Sequence, residues 1–162
     1  MATGTKRTMH GRFLPKNPQK YVGNSNNIMF RSSWELTFMK WMDSNPAVLR
    51  WGSEELAIPY VNPVKVDVNG RPKVSRYFPD FIMLYRDAAG NIKKEIIEVK
   101  PYRESVLTPG MTERDKMMYA VNQAKWKAAS IFAESQGATF RVVTEKTIYK
   151  TSAAKAGART PL

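Results

Sequence analysis

The sequence predicts an α/β fold of the mixed α+β kind, with a central mixed β-sheet flanked by helices. The order of its segments supports this class. A segment of helical spacing comes first, several short apolar strands with turn signals follow, and a long helical segment precedes one last strand. The 162 residues are enough for one domain with a sizeable core, and 43% of them are hydrophobic.

The first helix is predicted to open at Ser32-Ser33, where either serine can cap it, and to run to about Asp43. Four large apolar side chains at helical spacing form its buried face: Trp34, Phe38, Trp41 and Met42. Glu35 falls on the same side. It is either a first-turn glutamate favoured by the helix dipole or a carboxylate aimed into an active site.

The middle of the chain predicts antiparallel strands. Asn69-Gly70 is a strong tight-turn signal between alternating valines and a return strand, and Asp87 to Asn91 forms the next turn. Pro101 ends the series. The predicted strand segments are Leu56–Val61, Val64–Val68, Val74–Tyr77, Phe81–Tyr85 and Ile92–Lys100.

A long helix is predicted from Thr112 to Gln136, with Gly137 as its stop. Its apolar face is expected to contain Met117, Val121, Ala124, Ala128, Ile131 and Phe132. The last strand is predicted from Thr139 to Thr144. The resulting division is a basic irregular arm over residues 1–27, a single domain over 28–150 and a basic flexible tail over 151–162.

Charge indicates a polyanionic partner. The net charge is +12, and the first 34 residues contain no acid. Basic arms of this kind commonly bind nucleic acid, so a nucleic acid is the expected partner, ahead of an acidic protein or a membrane surface. No apolar run approaches the length of a membrane span. The candidate DNA-binding residues are Lys6, Arg7, Arg12, Lys16, Lys20 and Arg31.

The metal-ligand inventory is narrow. The chain has no cysteine and one histidine, which excludes zinc fingers, thiolate sites and two-histidine metal sites. Any bound metal must therefore have oxygen ligands, which favours Mg²⁺ or Mn²⁺.

A set of residues suited to phosphodiester cleavage lies on two neighbouring predicted strands. Asp80 begins one strand, and Glu98 and Lys100 point to the same face at the end of the next. If the strands pair, Asp80 and Glu98 can share a cation with the Val99 carbonyl, and Lys100 can orient water or stabilise developing charge. Spacing alone leaves a cross-strand ion pair as an alternative.

The surrounding motifs resemble a known family. They are Phe30-Arg31-Ser32-Ser33-Trp34-Glu35-Leu36, Trp51-Gly52-Ser53-Glu54, Ile58-Pro59-Tyr60, Tyr77-Phe78-Pro79-Asp80-Phe81 and Ile97-Glu98-Val99-Lys100-Pro101-Tyr102. This stretch, from about Ile28 to Tyr102, resembles the TnsA-like transposon endonucleases and, still more, the head completion proteins of large contractile-tailed phages. Both belong to the PD-(D/E)xK superfamily.

The resemblance implies a restriction-endonuclease-like core, with Glu35, Asp80, Glu98 and Lys100 as the catalytic set. Some members of the superfamily add a glutamine or lysine on the helix after the sheet, which makes Gln123 and Lys127 auxiliary candidates; a solvated helix face is the other interpretation of these two residues. The chain stops soon after the core, so we expect the extra domain of the transposon enzymes to be absent.

The first hypothesis is thus a Mg²⁺-dependent DNA endonuclease acting in phage head completion. Its expected location is the host cytoplasm during virion assembly or the virion head, with portal or head proteins as candidate partners. One alternative is a structural DNA-end or portal-binding head protein with little catalysis. The other is a transposase-type or junction-resolving endonuclease.

Overall fold

The structure is a computed structural model that describes residues 9–148. In chain order these residues form β1 (Gly11–Phe13), a 3₁₀ turn (Pro18–Lys20), β2 (Ile28–Phe30), α1 (Ser33–Ser44), β3 (Val48–Ser53), β4 (Ile58–Val66), β5 (Pro72–Tyr77), β6 (Phe81–Arg86), β7 (Ile92–Val99), α2 (Tyr102–Ser105), α3 (Glu113–Ser135) and β8 (Thr139–Val143). The predicted fold class, a mixed sheet with flanking helices, is confirmed.

The central sheet has four strands in the order β3-β6-β7-β8. β3, β6 and β7 are antiparallel, whereas β8 returns through α3 and pairs with β7 in parallel. Sequence analysis did not predict β3, which contains the fully buried Trp51. The β6–β7 pairing that the candidate site requires is present, with Phe81 opposite Ile97.

Helix α1 covers one face of the sheet. The Ser32 hydroxyl accepts a hydrogen bond from the Glu35 N–H at 3.1 Å, so the predicted cap forms. Phe38, Met39 and Met42 are buried in the core on this face. A well-capped, tightly packed helix fixes the position of Glu35 in its first turn.

Helix α3 covers the other face, and its orientation differs from the prediction. Its buried residues are Val121, Asn122, Trp126, Ala129 and Ala133. Met117 and Ile131 were predicted to face inward, but half or more of the surface of each is exposed. The predicted Val121 is buried, and the predicted Ala124, Ala128 and Phe132 are partly buried against the same cluster. The centre of the buried face lies further toward Trp126, Ala129 and Ala133, which pack against the sheet.

Strands β4 and β5 form a separate two-stranded sheet. The predicted hairpin turn is present, and Gly70 adopts a φ of 76° that glycine accepts without strain. The base of this hairpin, with Ile58, Tyr60 and Tyr77, is buried beneath α3. Its outer part, beyond Val61, is exposed to solvent apart from the buried Asn62.

The described part of the predicted irregular arm contains regular structure. β1 pairs with β2, and Phe13 and Tyr21 are buried against Trp51 with ring centroids 5.8 and 4.8 Å apart. Sequence analysis missed this because prolines and glycines mask three-residue strands. Residues 151–162, the predicted tail, lie outside the described residues. Within residues 9–148, no helix is long and apolar enough to cross a membrane.

Candidate active site

Asp80 lies at the start of β6, where the buried Pro79 precedes it. Its Oδ2 accepts a hydrogen bond of 2.7 Å from the Val99 N–H, which turns the carboxyl group inward. Its backbone carbonyl accepts another from the Glu54 N–H at 3.1 Å. Side chain and backbone are thus both fixed, and the carboxyl group is held against the end of β7.

Glu98 is the last polar side chain of β7 and is 7% exposed. It shares the α3 face of the sheet with Ile96, two residues earlier. The Tyr77 hydroxyl donates to Glu98 Oε2 at 2.6 Å and so fixes one carboxylate oxygen. The other, Oε1, lies 3.8 Å from the Lys100 ammonium.

The two carboxyl groups destabilise each other when both are ionised. Burial, and then repulsion from Glu98, raises the pKa of Asp80 well above its usual value. Burial also raises the pKa of Glu98, although the hydrogen bond from Tyr77 and the charge of Lys100 oppose that shift. A pair of this kind favours either a bound proton or a bound cation.

Lys125 on α3 is a site residue that sequence analysis missed. Its ammonium lies 5.8 Å from the ring centroid of Tyr60 and 5.6 Å from that of Tyr77. Burial, followed by repulsion from Lys100, lowers its pKa, and the charges of Glu98 and Asp80 oppose that change. It could have been found only from the true rotation of α3, since no local motif marks it.

Glu35 and Arg31 stand at the edge of the site. Glu35 Oε2 accepts from the Arg31 N–H at 2.9 Å, and Ser32 Oγ contacts Oε1 at 3.3 Å. The Glu35 charge also helps to raise the pKa of Asp80. The Arg31 guanidinium pairs with Glu54, which raises the pKa of Arg31, and it also interacts with Glu35 and Asp80. Arg31 therefore lies at the site rather than on a remote arm.

The two auxiliary candidates do not join this group. Gln123 and Lys127 are both exposed, because the face of α3 that meets the sheet contains Asn122 and Trp126 instead. Lys125, midway between the two candidates, occupies the position beside the carboxylates.

Besides Arg31, the predicted DNA-binding residues divide into three groups. Lys20 has a structural role, because its ammonium donates to the carbonyls of Met42, Asp43 and Asn45 at 2.8–2.9 Å, where α1 ends. Arg12 and Lys16 are exposed on the N-terminal segment. Lys6 and Arg7 lie outside the described residues.

A cleft of about 510 Å³ opens next to Lys100. Its walls are α2, the start of α3 and the loop between them, and its lining includes Arg103, Tyr119 and Asn122. Lys100 lines this cleft and also lies 3.8 Å from Glu98 Oε1, so the cleft opens beside the carboxylate pair.

The donors present suit a hard divalent cation. Among residues 9–148 no group of three or more histidine, cysteine, aspartate or glutamate side chains could hold a metal. The available set is the second oxygens of Asp80 and Glu98, together with the nearby Val99 carbonyl. Two carboxylates, a carbonyl and water are ligands that Mg²⁺ accepts, and a cation would relieve the repulsion between the buried acids.

The fold and site define an endonuclease of the TnsA-like class. Residues 45–145 match the family described as TnsA-like endonuclease N terminal, and since this is more than half of the chain, the chain belongs to that family. Asp80, Glu98, Lys100 and Lys125 lie within the matched range, and Glu35 precedes it.

A particular relative is the head completion nuclease of Enterobacteria phage T4. It is 38% identical to this chain over 145 residues, which cover 83% of this chain and 90% of that protein. The resemblance expected from the sequence motifs is therefore confirmed at the level of family and relative.

Proposed function

We propose that this protein is a divalent-metal-dependent DNA endonuclease that hydrolyses phosphodiester bonds during phage head completion. The observation that supports it most directly is the pair of buried, mutually repelling carboxylates at Asp80 and Glu98, with Lys100 within 3.8 Å. Folding has placed like charges together, which is unfavourable unless a ligand uses them. Because the chain belongs to an endonuclease family, we infer that this ligand is a cation used in DNA cleavage.

Asp80, Glu98 and the Val99 carbonyl would hold Mg²⁺ or Mn²⁺. Tyr77 and the Val99 N–H each occupy one carboxylate oxygen, so the ligands are oriented before the cation arrives. When bound, the cation supplies Lewis acidity that polarises the scissile phosphate and lowers the pKa of water.

Lys100 and Lys125 would act on the water and on the phosphate. The Lys100 ammonium lies next to Glu98 Oε1, close enough to orient an attacking water or to donate to a phosphate oxygen as its charge grows. Lys125 is partly desolvated above two tyrosine rings, which strengthens its interaction with an incoming anion.

Glu35 and Arg31 would shape the entrance to the site. Glu35 is occupied by the cap of α1, so its role is to set the local charge around Asp80 rather than to bind the cation alone. Arg31 is the exposed cation at this edge and would contact a phosphate next to the scissile one.

Cleavage of supercoiled plasmid tests the endonuclease activity. The plasmid is incubated with wild type or Lys100→Ala, in Mg²⁺ or in chelator. We expect nicked and linear products only with Mg²⁺ and wild type. Asp80→Ala should behave like Lys100→Ala, while salt-sensitive DNA binding persists in both. Cleavage that survives both substitutions would reject the assignment. DNA binding without any cleavage would favour the structural alternative. A preference for branched or transposon-end DNA would favour the transposase-type or junction-resolving endonuclease.

The setting is proposed from the relative's name. A head completion role implies that the protein acts in the host cytoplasm during virion assembly or within the virion head, on the end of packaged double-stranded DNA, next to portal or head proteins. The decisive comparison is the yield of infectious particles when the phage gene for this chain encodes Lys100→Ala. Normal yield would exclude a need for cleavage in head completion.

A further inference from the structure

The outer part of the β4–β5 hairpin, residues 61–76, is a surface with no partner in the described structure and no assigned role. It carries four basic residues against one acid, a net charge of +3 over sixteen residues. The basic residues are Lys65, Arg71, Lys73 and Arg76, all exposed. The single acid, Asp67, faces its own turn, where its Oδ1 accepts the N–H groups of Asn69 and Arg71 at 2.8 and 2.9 Å.

The hairpin has a fixed shape. Asn62 is 4% exposed, and its Oδ1 accepts the N–H groups of Val64 and Lys65 at 2.9 and 3.1 Å. This contact bends the strand where the pairing register shifts between Val61 and Val66. A bend held by a buried side chain directs the outer part in one direction, so little conformational entropy is lost when it binds a ligand.

The base of the hairpin is part of the active site. Tyr77 ends β5 and donates to Glu98, and Tyr60 of β4 lies with it beneath the Lys125 ammonium. The charge of Lys65 reaches Lys125 and contributes to its lowered pKa. The basic arm therefore starts at the catalytic carboxylates and leads away from them.

We propose that this hairpin is a DNA-binding arm that holds the duplex on one side of the scissile phosphate, an inference that rests on the proposed nuclease function. Its charge complements a phosphate backbone, and a two-stranded ribbon fits the major groove, which is about 12 Å wide. The exposed Val64, Val66 and Val74 would contact the sugars, which carry no sequence information.

Strand geometry gives the reach of the arm. Lys73 and Arg71 precede Tyr77 by four and six residues. At about 3.3 Å per residue along a strand, they lie roughly 13 and 20 Å from it. Duplex DNA rises about 3.4 Å per base pair. The arm would therefore contact phosphates about four to six base pairs from the scissile bond.

The test measures the affinity of the protein for a duplex of about 20 base pairs. Binding is monitored by fluorescence anisotropy over a series of salt concentrations, with Ca²⁺ in place of Mg²⁺. Lys65→Ala/Lys73→Ala is compared with Lys93→Ala/Lys94→Ala. The control pair is also exposed and also loses two charges, but it lies at the far end of β7 from Glu98. Thermal unfolding of each variant verifies that the fold is kept.

We expect the hairpin variant to lose about two units from the slope of log affinity against log salt, and about tenfold or more in affinity at low salt. The control pair should leave the slope near that of wild type. Charge reversal, Lys65→Glu/Lys73→Glu, should weaken binding further. Equal effects of the hairpin and control pairs, or no effect of either, would overturn the proposal.

The binding assay separates this inference from the proposed function. Wild type that binds through the hairpin but never cuts with Mg²⁺ would refute the nuclease function and leave the arm intact. Wild type that cuts while the hairpin variant binds normally would refute the arm alone. When the duplex extends only three base pairs on one side of the cut, the affinity of the protein for it should no longer depend on Lys73.

Discussion

Replacing Asp80 with asparagine should make the metal-free protein more stable. Asparagine keeps an oxygen that can accept the Val99 N–H, and it removes the charge that repels Glu98. Two like charges a few ångströms apart repel by up to about 4 kcal/mol at an effective dielectric of about 20. Partial protonation of the pair limits the gain to roughly 1–2 kcal/mol, or about 3–6 °C in the unfolding midpoint for a domain of this size.

The pH dependence of stability should change with the same substitution. The folded-state pKa values of Asp80 and Glu98 are raised, so the folded protein binds more protons than the unfolded chain. Their stabilising contribution is fully present below about pH 4 and is lost as pH rises through the raised values. Wild type without metal should therefore lose stability between acid and neutral pH, and Asp80→Asn should lose less.

Thermal unfolding in chelator and in Mg²⁺, at several pH values, measures both effects. Asp87→Asn is the matched control, since it makes the same chemical change in the turn between β6 and β7, where Asp87 Oδ1 accepts backbone N–H groups. Mg²⁺ should raise the midpoint of wild type and of the control, but not that of Asp80→Asn. A lower midpoint for Asp80→Asn in chelator at neutral pH would refute the reasoning.

Three further substitutions test individual contacts. Lys125→Met should reduce the cleavage rate by roughly 10- to 100-fold, whereas Lys127→Met on the exposed side of α3 should match wild type. Tyr77→Phe removes a hydrogen bond that lowers the pKa of Glu98, so the acid limb of the pH–rate profile should move to higher pH; an unmoved limb would contradict this. Lys20→Met should lower stability by about 1–2 kcal/mol in thermal unfolding while DNA affinity holds, since its ammonium binds the end of α1.

The sequence predicted the parts of the site that depend on strand order. Asp80 and Glu98 come together because two apolar strands joined by a tight turn must pair, and period-two alternation then puts Glu98 on one face. The first helix was equally readable, because Ser32 caps it and its large apolar side chains repeat at helical spacing.

The parts of the site that depend on the rotation of α3 could not be predicted from the sequence. On α3, apolar residues are spread around much of the circumference, so the sequence alone assigned the exposed Met117 and Ile131 to the buried face and left out Trp126. The choice was made by packing, since Trp126 and the small Ala129 and Ala133 fit against the sheet. Gln123 and Lys127 were candidates through the family resemblance, and the alternative interpretation, a solvated helix face, agrees with their exposure. Lys20 was misjudged because its role depends on α1, which it meets only in three dimensions.

The charges of the site should couple metal binding to DNA binding. Asp80 and Glu98 lie near Lys100 and Lys125, so the four groups sum to zero when all are ionised, and Lys100 lies close to Glu98. A divalent cation on the two carboxylates would raise the local charge to +2 and release both lysines to meet phosphate. DNA and the cation should then strengthen each other's binding by the same factor, because coupling between two ligands is reciprocal. Equal DNA affinity with and without Ca²⁺ would show that the lysines do not depend on the carboxylates in this way.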